Sequence, residues 1–118
     1  MTIEYGELFL VNFNPGLGHE YQGKRPAVVI ESNKQIKKSN LITILPLTSN
    51  LDNRIADDIV IEADKNNRLK FDSLIKVYDI ISFDRSRFIN KIGMANNKIL
   101  IQTKKYLLKH FDLENLLS

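Results

Sequence analysis

The sequence contains no cysteine and no tryptophan. Without cysteine the chain can form neither a disulfide nor a thiolate metal site. Its histidines, His19 and His110, are far apart, and no His or carboxylate spacing resembles a zinc site. No apolar run approaches the ~20 residues that span a bilayer, and residues 1–4 lack the basic start of a signal peptide. We therefore expect a cytoplasmic protein with no membrane partner, no metal and no cofactor.

The sequence also lacks the marks of a multidomain chain. Its 118 residues show no internal repeat, low-complexity tract or linker. This length is enough for one compact core and too short for two. We therefore predict one domain over residues 1–118.

Acidic residues are missing from one long stretch of the chain, and the net charge is +3. Residues 85–109 contain seven basic residues and no acidic one, whereas residues 57–64 contain four acidic residues and no basic one. Residues 24–54 are also mainly basic. Such asymmetry is typical of proteins that bind a polyanion, because basic side chains release counterions from phosphates. The alternative is a solvated helix face whose lysines serve only solubility.

What the sequence does contain is a series of short β-branched and aromatic runs, separated by polar segments. These runs predict strands, and the polar segment 32–40 predicts a loop or a short helical turn. The segment 73–83 is long enough for a central strand, and 87–91 predicts an edge strand that ends at Gly93. The predicted strands cover residues 7–14, 25–31, 41–47, 58–62, 73–83 and 87–91.

The last predicted element is a helix. Asn96 or Asn97 can cap it. The residues that follow at helical spacing, and so fall on one face, are Leu100, Thr103, Leu107 and Phe111. Short strands followed by one helix predict a mainly β fold, in which a bent antiparallel sheet or partial barrel packs against a C-terminal helix.

Three segments carry candidate binding or catalytic residues. Residues 14–26 form a glycine-containing loop in which Tyr21 or His19 can stack on a base and Arg25 can grip a phosphate. The alternative is an ordinary mobile hairpin loop. Residues 48–50 offer two hydroxyls and an amide at a strand end, although such residues are more often simple turn formers. Near Asp84, we expect Arg85 and Arg87 to make surface ion pairs, with RNA contact as the minority option.

Taken in order, these residues resemble the MazF/PemK toxins. The motifs that carry the resemblance cover most of the chain, and they are specific only in combination. They are Gly6-Glu7-Leu8-Phe9, Asn14-Pro15, Gly18-His19-Glu20, Gly23, Arg25-Pro26, Pro46-Leu47-Thr48-Ser49, Ser73, Asp84, Arg87 and Gly93. The resemblance implies an SH3-like antiparallel barrel with a C-terminal helix, and a homodimer. It also implies metal-independent cutting of single-stranded RNA, and a cognate antitoxin whose acidic disordered tail covers the RNA groove.

The resemblance further implies roles for particular residues. Arg25 and Thr48 fall on the family's catalytic pair, and Glu20 and His19 are candidates for proton transfer. Some relatives have a catalytic arginine and aspartate that would fall on Lys76 and Tyr78. The expected RNA-binding residues are Asn14, Gly18, Tyr21, Lys24, Ser49, Asn50, Arg54, Lys76, Tyr78 and Arg87.

The chain departs from the family pattern in residues 78–84. Ile81 replaces a common arginine, and Tyr78-Asp79 replaces an acid-amide pair, which bears on cleavage specificity. Two alternatives to a nuclease stay open. One is a gyrase poison of the CcdB type, which shares the fold and cleaves nothing. The other is an SH3-like adaptor, although such domains usually expose clustered aromatic side chains, and tryptophan is absent here.

Overall fold

The computed structural model describes residues 1–14 and 22–117. Over these residues the fold is mainly β, with one long helix near the C-terminus. The strands are β1 (Glu7–Asn12), β2 (Lys24–Val29), β3 (Leu41–Thr48), β4 (Ile59–Ile61), β5 (Ser73–Ile75), β6 (Ile81–Asp84) and β7 (Phe88–Met94). The α-helices are the single turn α1 (Asn33–Ile36) and α2 (Asn97–His110). Neither described α-helix has the length and apolar composition of a bilayer-spanning segment.

The strands form one antiparallel sheet in the order β4-β5-β3-β2-β1-β7. β3 is the central strand, because β2 pairs with one of its edges while β6 and β5 share the other edge. Its N-terminal half, from Leu41 to Ile44, pairs with β6, and its last residues, Leu47 and Thr48, pair with β5. The C-terminal end of β3 is thus brought beside the end of β5, where the candidate site lies.

The sheet is buried on both faces at its centre. Phe9 and Val11 of β1 lie in one apolar cluster, whereas Leu8 lies in the other. The same alternation occurs in β2, where Ala27 and Val29 face the first cluster and Val28 the second. Because neighbouring strand residues point to opposite faces, a run that is apolar throughout can be covered on both sides.

The sheet is strongly bent, as the sequence predicts. The β1–β7 pairing contains two register shifts, and such bulges increase bending and twist. The end of β7 meets the segment that follows β4, where the Met94 N–H donates to the Asn66 carbonyl at 3.0 Å. The backbone of Asn66 and Asn67 lies so close to Gly93 that an added Cβ would come within 2.4–2.6 Å of it. The two ends of the sheet therefore approach each other and form a partial barrel.

The C-terminal helix is present as predicted. Asn96 caps it, accepting a hydrogen bond from the Ile99 N–H at 2.9 Å. Leu100 and Thr103 are buried and Leu107 is half-buried, which confirms this part of the predicted face. Phe111 is the C-cap residue of the helix: its N–H donates to the Leu107 carbonyl at 3.0 Å, and its side chain is 50% exposed.

Two predicted strands differ from the structure. Residues 73–83 form two short strands instead of one, separated by the 3-10 helix Val77–Asp79. The break lets one edge of β3 pair with β5 and then β6, a long-range choice that local propensity does not reveal. The predicted edge strand is β7, which lies at the end of the sheet but begins at Phe88 and continues through Gly93 to Met94.

Candidate functional site

The ends of β2, β3 and β5 border one cleft, which we call the central cleft. Its volume is about 610 Å³, which lies within the range of ligand-binding pockets. The residues that line it include two cations and several hydrogen-bonding groups. They are Arg25, Thr48, Asn50, Asn53, Ile55, Lys76, Tyr78 and Asp79.

Arg25 is the second residue of β2, and it is positioned by the residues just before the strand. Gly23, just before the strand, has a φ of +72°, which a glycine adopts without steric cost. Its N–H donates to the Asn14 side chain at 2.8 Å, and its carbonyl accepts from the Phe13 N–H at 2.8 Å. Arg25 is half-buried, and its Nε donates to the Gln22 carbonyl at 3.2 Å. The guanidinium is therefore held at the mouth of the cleft by backbone geometry.

Thr48 lines the cleft together with Arg25. The β2–β3 ladder reaches Ala27 and Pro46, and Arg25 and Thr48 each lie two residues beyond this pair on their strands. The Thr48 Oγ1 accepts from the Asn50 N–H at 3.2 Å. That bond uses an oxygen lone pair and leaves the hydroxyl hydrogen available for a ligand.

Lys76 contributes a second cation, from the residue that follows β5. Its N–H donates to the Pro46 carbonyl at 2.9 Å, which ties it to β3. Its Nζ lies 2.6 Å from Oδ2 of Asp58, and the exposed fractions of the two side chains are 13% and 0%. The same oxygen accepts from the Ile55 N–H at 2.9 Å, whereas the buried Oδ1 has no partner among the described residues. A buried carboxylate thus fixes the ammonium of Lys76 at the edge of the cleft.

Tyr78 is 55% exposed and lies between the cleft and the end of α2. Its hydroxyl is hydrogen bonded to Asp57, and that bond, together with the carboxylate's charge, raises the pKa of Tyr78 above its usual value of 10.0. The phenol is therefore neutral near pH 7 and acts as a donor. Its ring contacts His110 edge to face, with centroids 5.2 Å apart.

A second hollow lies on the other side of Arg25 and Thr48, which line both cavities. We call it the side hollow, and its volume is about 730 Å³. It contains the predicted RNA-binding residues Lys24 and Ser49. Its lining is Leu10, Gln22, Gly23, Lys24, Arg25, Pro26, Leu47, Thr48, Ser49, Arg68, Leu69, Lys70, Phe71, Ser73, Asn90 and Ile92.

Some predicted site residues do not line either cavity. Arg87 donates to the carbonyls of Asn12, at 3.3 Å, and Asn14, and its guanidinium lies 5.7 Å from the Phe83 ring centroid. It therefore ties the end of β1 to the residues before β7. Asn14 caps the base of the β1–β2 connection, and Arg54 is exposed beside the central cleft without lining it.

The expected ion pairs near Asp84 are also absent from the described residues. Asp84 instead accepts from the Ser86 N–H at 2.9 Å, a bond that lowers the pKa of its carboxyl group. Arg85 donates to the carbonyl of Ile36. Arg85 and Arg87 therefore stabilise backbone segments, because carbonyl oxygens are nearer to them than the carboxylate.

Four predicted residues lie outside the described part of the chain. These are Gly18, His19, Glu20 and Tyr21. Conversely, Asn53, Ile55 and Asp79 line the central cleft and were not predicted, and neither was Asp58 behind it. The acidic segment 57–64 was the only signal that pointed to Asp58. Within residues 1–14 and 22–117, no three His, Asp or Glu side chains are grouped closely enough to hold a metal ion.

Residues 4–111 match the family described as "PemK-like, MazF-like toxin of type II toxin-antitoxin system". The chain belongs to this toxin family. Among curated relatives, endoribonuclease MazF9 of Mycobacterium tuberculosis is 27% identical over 113 residues, which cover 92% of this chain and 95% of the relative. Endoribonuclease MazF of Staphylococcus epidermidis is 26% identical over 106 residues, 89% of this chain and 88% of the relative.

Solved structures of the same family share this fold. MazF from Deinococcus radiodurans superposes with a TM-score of 0.80 at 24% identity, covering 95% of this chain and 98% of that one. A MazE–MazF structure from the same organism gives a TM-score of 0.76 at 18% identity, covering 97% and 99% of the two chains. These matches confirm the predicted fold, a mainly antiparallel sheet with a C-terminal helix in the manner of the MazF toxins.

Proposed function

We propose that the chain is the toxin of a type II toxin–antitoxin system and an endoribonuclease that cuts single-stranded RNA without a metal ion. The observation that carries this proposal is the central cleft, in which Arg25, Thr48 and Lys76 converge. A cation pair with a hydroxyl donor suits the phosphodiester of an RNA strand. The endoribonuclease relatives and the family membership support the same activity.

The reaction is a transesterification within the RNA. The 2′-oxygen of the ribose attacks the adjacent phosphorus and loses its proton, while the bond from phosphorus to the 5′-oxygen breaks. That oxygen takes up a proton, and the products are a 2′,3′-cyclic phosphate and a 5′-hydroxyl. The protein aligns the 2′-oxygen with the leaving oxygen and stabilises the charge of the phosphorane.

Each cleft residue has a role that its geometry permits. Arg25 forms charge-assisted hydrogen bonds to the non-bridging oxygens, and Thr48 donates its hydroxyl hydrogen to one of them. Lys76 adds positive charge from the opposite wall, held there by Asp58. Tyr78 occupies the position of a catalytic carboxylate in some relatives, but its hydroxyl is bonded to Asp57 and its pKa is raised, so it does not take the role of the base. His19 and Glu20 stay candidates for the proton transfer.

The partners follow from the same proposal. The substrate is single-stranded messenger RNA, and its cleavage stops translation in the cytoplasm. The antitoxin covers the basic cleft with an acidic tail, in keeping with the MazE–MazF complex among the structural neighbours. The chain acts as one domain and assembles as a homodimer.

The test is incubation of the purified protein with a long single-stranded RNA in excess EDTA, followed by sequencing of the new 5′-hydroxyl ends. We expect cuts at one short motif. Arg25→Ala and Thr48→Ala should each lower the cleavage rate about 10²–10³-fold, the effect of removing one preorganised donor to a developing oxyanion. Lys98→Ala, on the exposed surface of α2, is the control and should cut at the wild-type rate.

Two results would count against the proposal. An Arg25→Ala protein that cuts at full rate would remove that residue from the mechanism. Absence of cuts across a broad RNA pool would favour the CcdB-type alternative, and inhibition of gyrase supercoiling would then be measured.

A further inference from the structure

We propose that the side hollow binds a nucleotide of the RNA next to the one that is cut, with Arg68 and Lys70 on its phosphate and Phe71 against its base. This inference rests on the proposed function, because the RNA strand must pass Arg25 and Thr48 for cleavage. Neither the family resemblance nor the sequence pattern assigned a role to Arg68, Lys70 or Phe71.

The two cavities are continuous with each other. Arg25 and Thr48 line the central cleft on one side and the side hollow on the other. A phosphate held between these two residues therefore has one flanking nucleotide directed toward each cavity. The central cleft contains Asp79 and Tyr78, whereas the side hollow is the more basic of the two.

The side hollow is lined by positive charge. Lys24, Arg25, Arg68 and Lys70 line the side hollow, and none of the described residues that line it is acidic. Clustered cations in a concave site attract phosphates, because the apolar walls weaken solvent screening. The apolar walls of the side hollow are formed by Leu10, Pro26, Leu47 and Ile92.

Phe71 contributes an aromatic ring to the lining of the side hollow. Its side chain is 67% exposed, an unusual position for so large an apolar group. The Phe71 carbonyl accepts from the Ser73 hydroxyl at 3.0 Å, which anchors the backbone at the entrance of β5. Exposed rings beside cations are the usual platforms for unpaired bases of single-stranded nucleic acids.

Arg68 has an unusual backbone conformation. Its φ is +55°, a left-handed value that is costly for a residue with a Cβ. The surrounding turn enforces it: Arg68 N–H donates to the Asp64 carbonyl at 3.0 Å, and the Asp64 carboxylate accepts from the Asn67 N–H at 2.7 Å. Asn67 is buried, and its side-chain amide donates to the Glu62 carbonyl at 2.8 Å. The strained turn thus presents Arg68 from a rigid support.

Together these features favour RNA over an acidic peptide as the occupant. A peptide carboxylate would satisfy the cations but has no flat base for Phe71. A nucleotide supplies a phosphate and an aromatic face on the same unit, which matches a cation pair beside an exposed ring.

The test uses a fluorescent pool of short RNAs with 2′-fluoro riboses, which lack the attacking hydroxyl and so cannot be cut. Binding is measured by anisotropy at several salt concentrations. The Arg68→Gln/Lys70→Gln variant should bind more weakly and lower the salt slope by about 0.7 per lost phosphate contact. Phe71→Ala should weaken binding about 5–100-fold, with an unchanged salt slope.

Matched controls come from surfaces far from both cavities. Lys98→Gln/Lys105→Gln removes two exposed cations from α2, and Leu41→Ala removes an exposed apolar side chain at the opposite end of β3 from Thr48. Both should bind RNA as the wild type does. Thermal melting of every variant separates loss of binding from loss of folding.

The outcomes distinguish this inference from the proposed function. If the wild type cuts RNA while the side-hollow variants bind the pool unchanged, the inference is wrong and the nuclease stands. If no RNA is cut but binding still depends on Arg68, Lys70 and Phe71, the subsite stands without the activity. If an acidic peptide binds through these residues and RNA does not, the inference is overturned.

Discussion

The carboxylate of Asp58 is buried, with Lys76 as its only cationic partner among the described residues. A buried ion pair adds little net stability compared with an apolar pair, but the loss of one partner leaves an uncompensated polar or charged group. The pair is therefore best regarded as a positioning device, which directs the Lys76 ammonium toward the central cleft at the cost of a desolvated carboxylate.

We expect Asp58→Asn to lower the free energy of unfolding by about 3–5 kcal/mol, because the half-buried ammonium of Lys76 loses its counter-charge. The measurement is urea denaturation. Asp58→Leu combined with Lys76→Met should recover most of this loss, since it removes both charges together. If Asp58→Asn changes the unfolding free energy by less than ~1 kcal/mol, the pair is solvated in solution and does not position Lys76.

The second prediction at the residue scale concerns protonation. The hydrogen bond and negative charge of Asp57 raise the pKa of Tyr78, so Asp57→Asn should return it toward ~10. In the wild type, with the raised pKa, the folded state binds the phenolic proton more tightly than the unfolded state does. This contribution to stability is fully present below pH ~10 and is lost as the pH rises through the folded pKa. The shift can be read from the ¹³C resonance of the Tyr78 Cζ, titrated in the wild type and in Asp57→Asn.

The sequence predicted only some of the residues that line the central cleft. Arg25, Thr48, Asn50, Lys76 and Tyr78 were predicted as site residues, and all line it. Their roles in the reaction stay proposals. Asp58 was missed because it meets Lys76 across 18 positions of the chain, and nothing in either local sequence specifies which strands become neighbours.

At the scale of elements, the predicted strands and the helix were placed well where one element contains one hydrophobic pattern. The prediction of one strand over residues 73–83 was wrong because this segment contains more than one element under a single apolar pattern. Both β5 and β6 are apolar, and the 3-10 helix between them contains the buried Val77, so the apolar pattern does not show the break. The edge strand was begun one residue early because Arg87 looks like a strand residue, yet it belongs to a turn, Arg85–Arg87, that is capped by Asp84.

Contact between β7 and the turn after β4 leads to a prediction for Gly93. A Cβ there would lie 2.4 Å from the Asn67 carbonyl oxygen and 2.5 Å from that of Asn66. Gly93→Ala should therefore lower the free energy of unfolding by about 3 kcal/mol, since backbone must move to admit the methyl group. The same variant should weaken RNA binding at the side hollow, because this turn carries Arg68.

Gly23→Ala is the matched control for that experiment. Gly23 has a φ of +72° and no heavy atom within 4 Å of the added Cβ. Its cost is the left-handed conformation alone, about 1–2 kcal/mol. Thermal or urea unfolding of the two variants should rank Gly93→Ala as the more damaging. Equal losses would mean that conformational strain, and not close packing, governs the closure of the sheet.

At the scale of the whole molecule, the remaining question is the assembly. Several large apolar side chains are exposed on α2 and the segment after it, including Ile101 at 47% and Leu116 at 76%. Side chains of this kind are candidates for a contact surface, because burying them against a second copy removes apolar area from water. A second copy that covered them would give the homodimer implied by the family resemblance.

Light scattering at micromolar concentration should therefore give twice the chain mass of 13.6 kDa. Ile101→Glu/Leu116→Glu should shift the mass to that of a monomer, because each copy would bury new charges at the contact. Leu41→Glu, which adds a charge to a different exposed apolar position, should leave the dimer intact. A wild-type protein that is monomeric would show the homodimer to be wrong, whereas a double variant that stays dimeric would place the contact elsewhere. In the second case the exposed end of α2 would remain accessible in the assembled toxin.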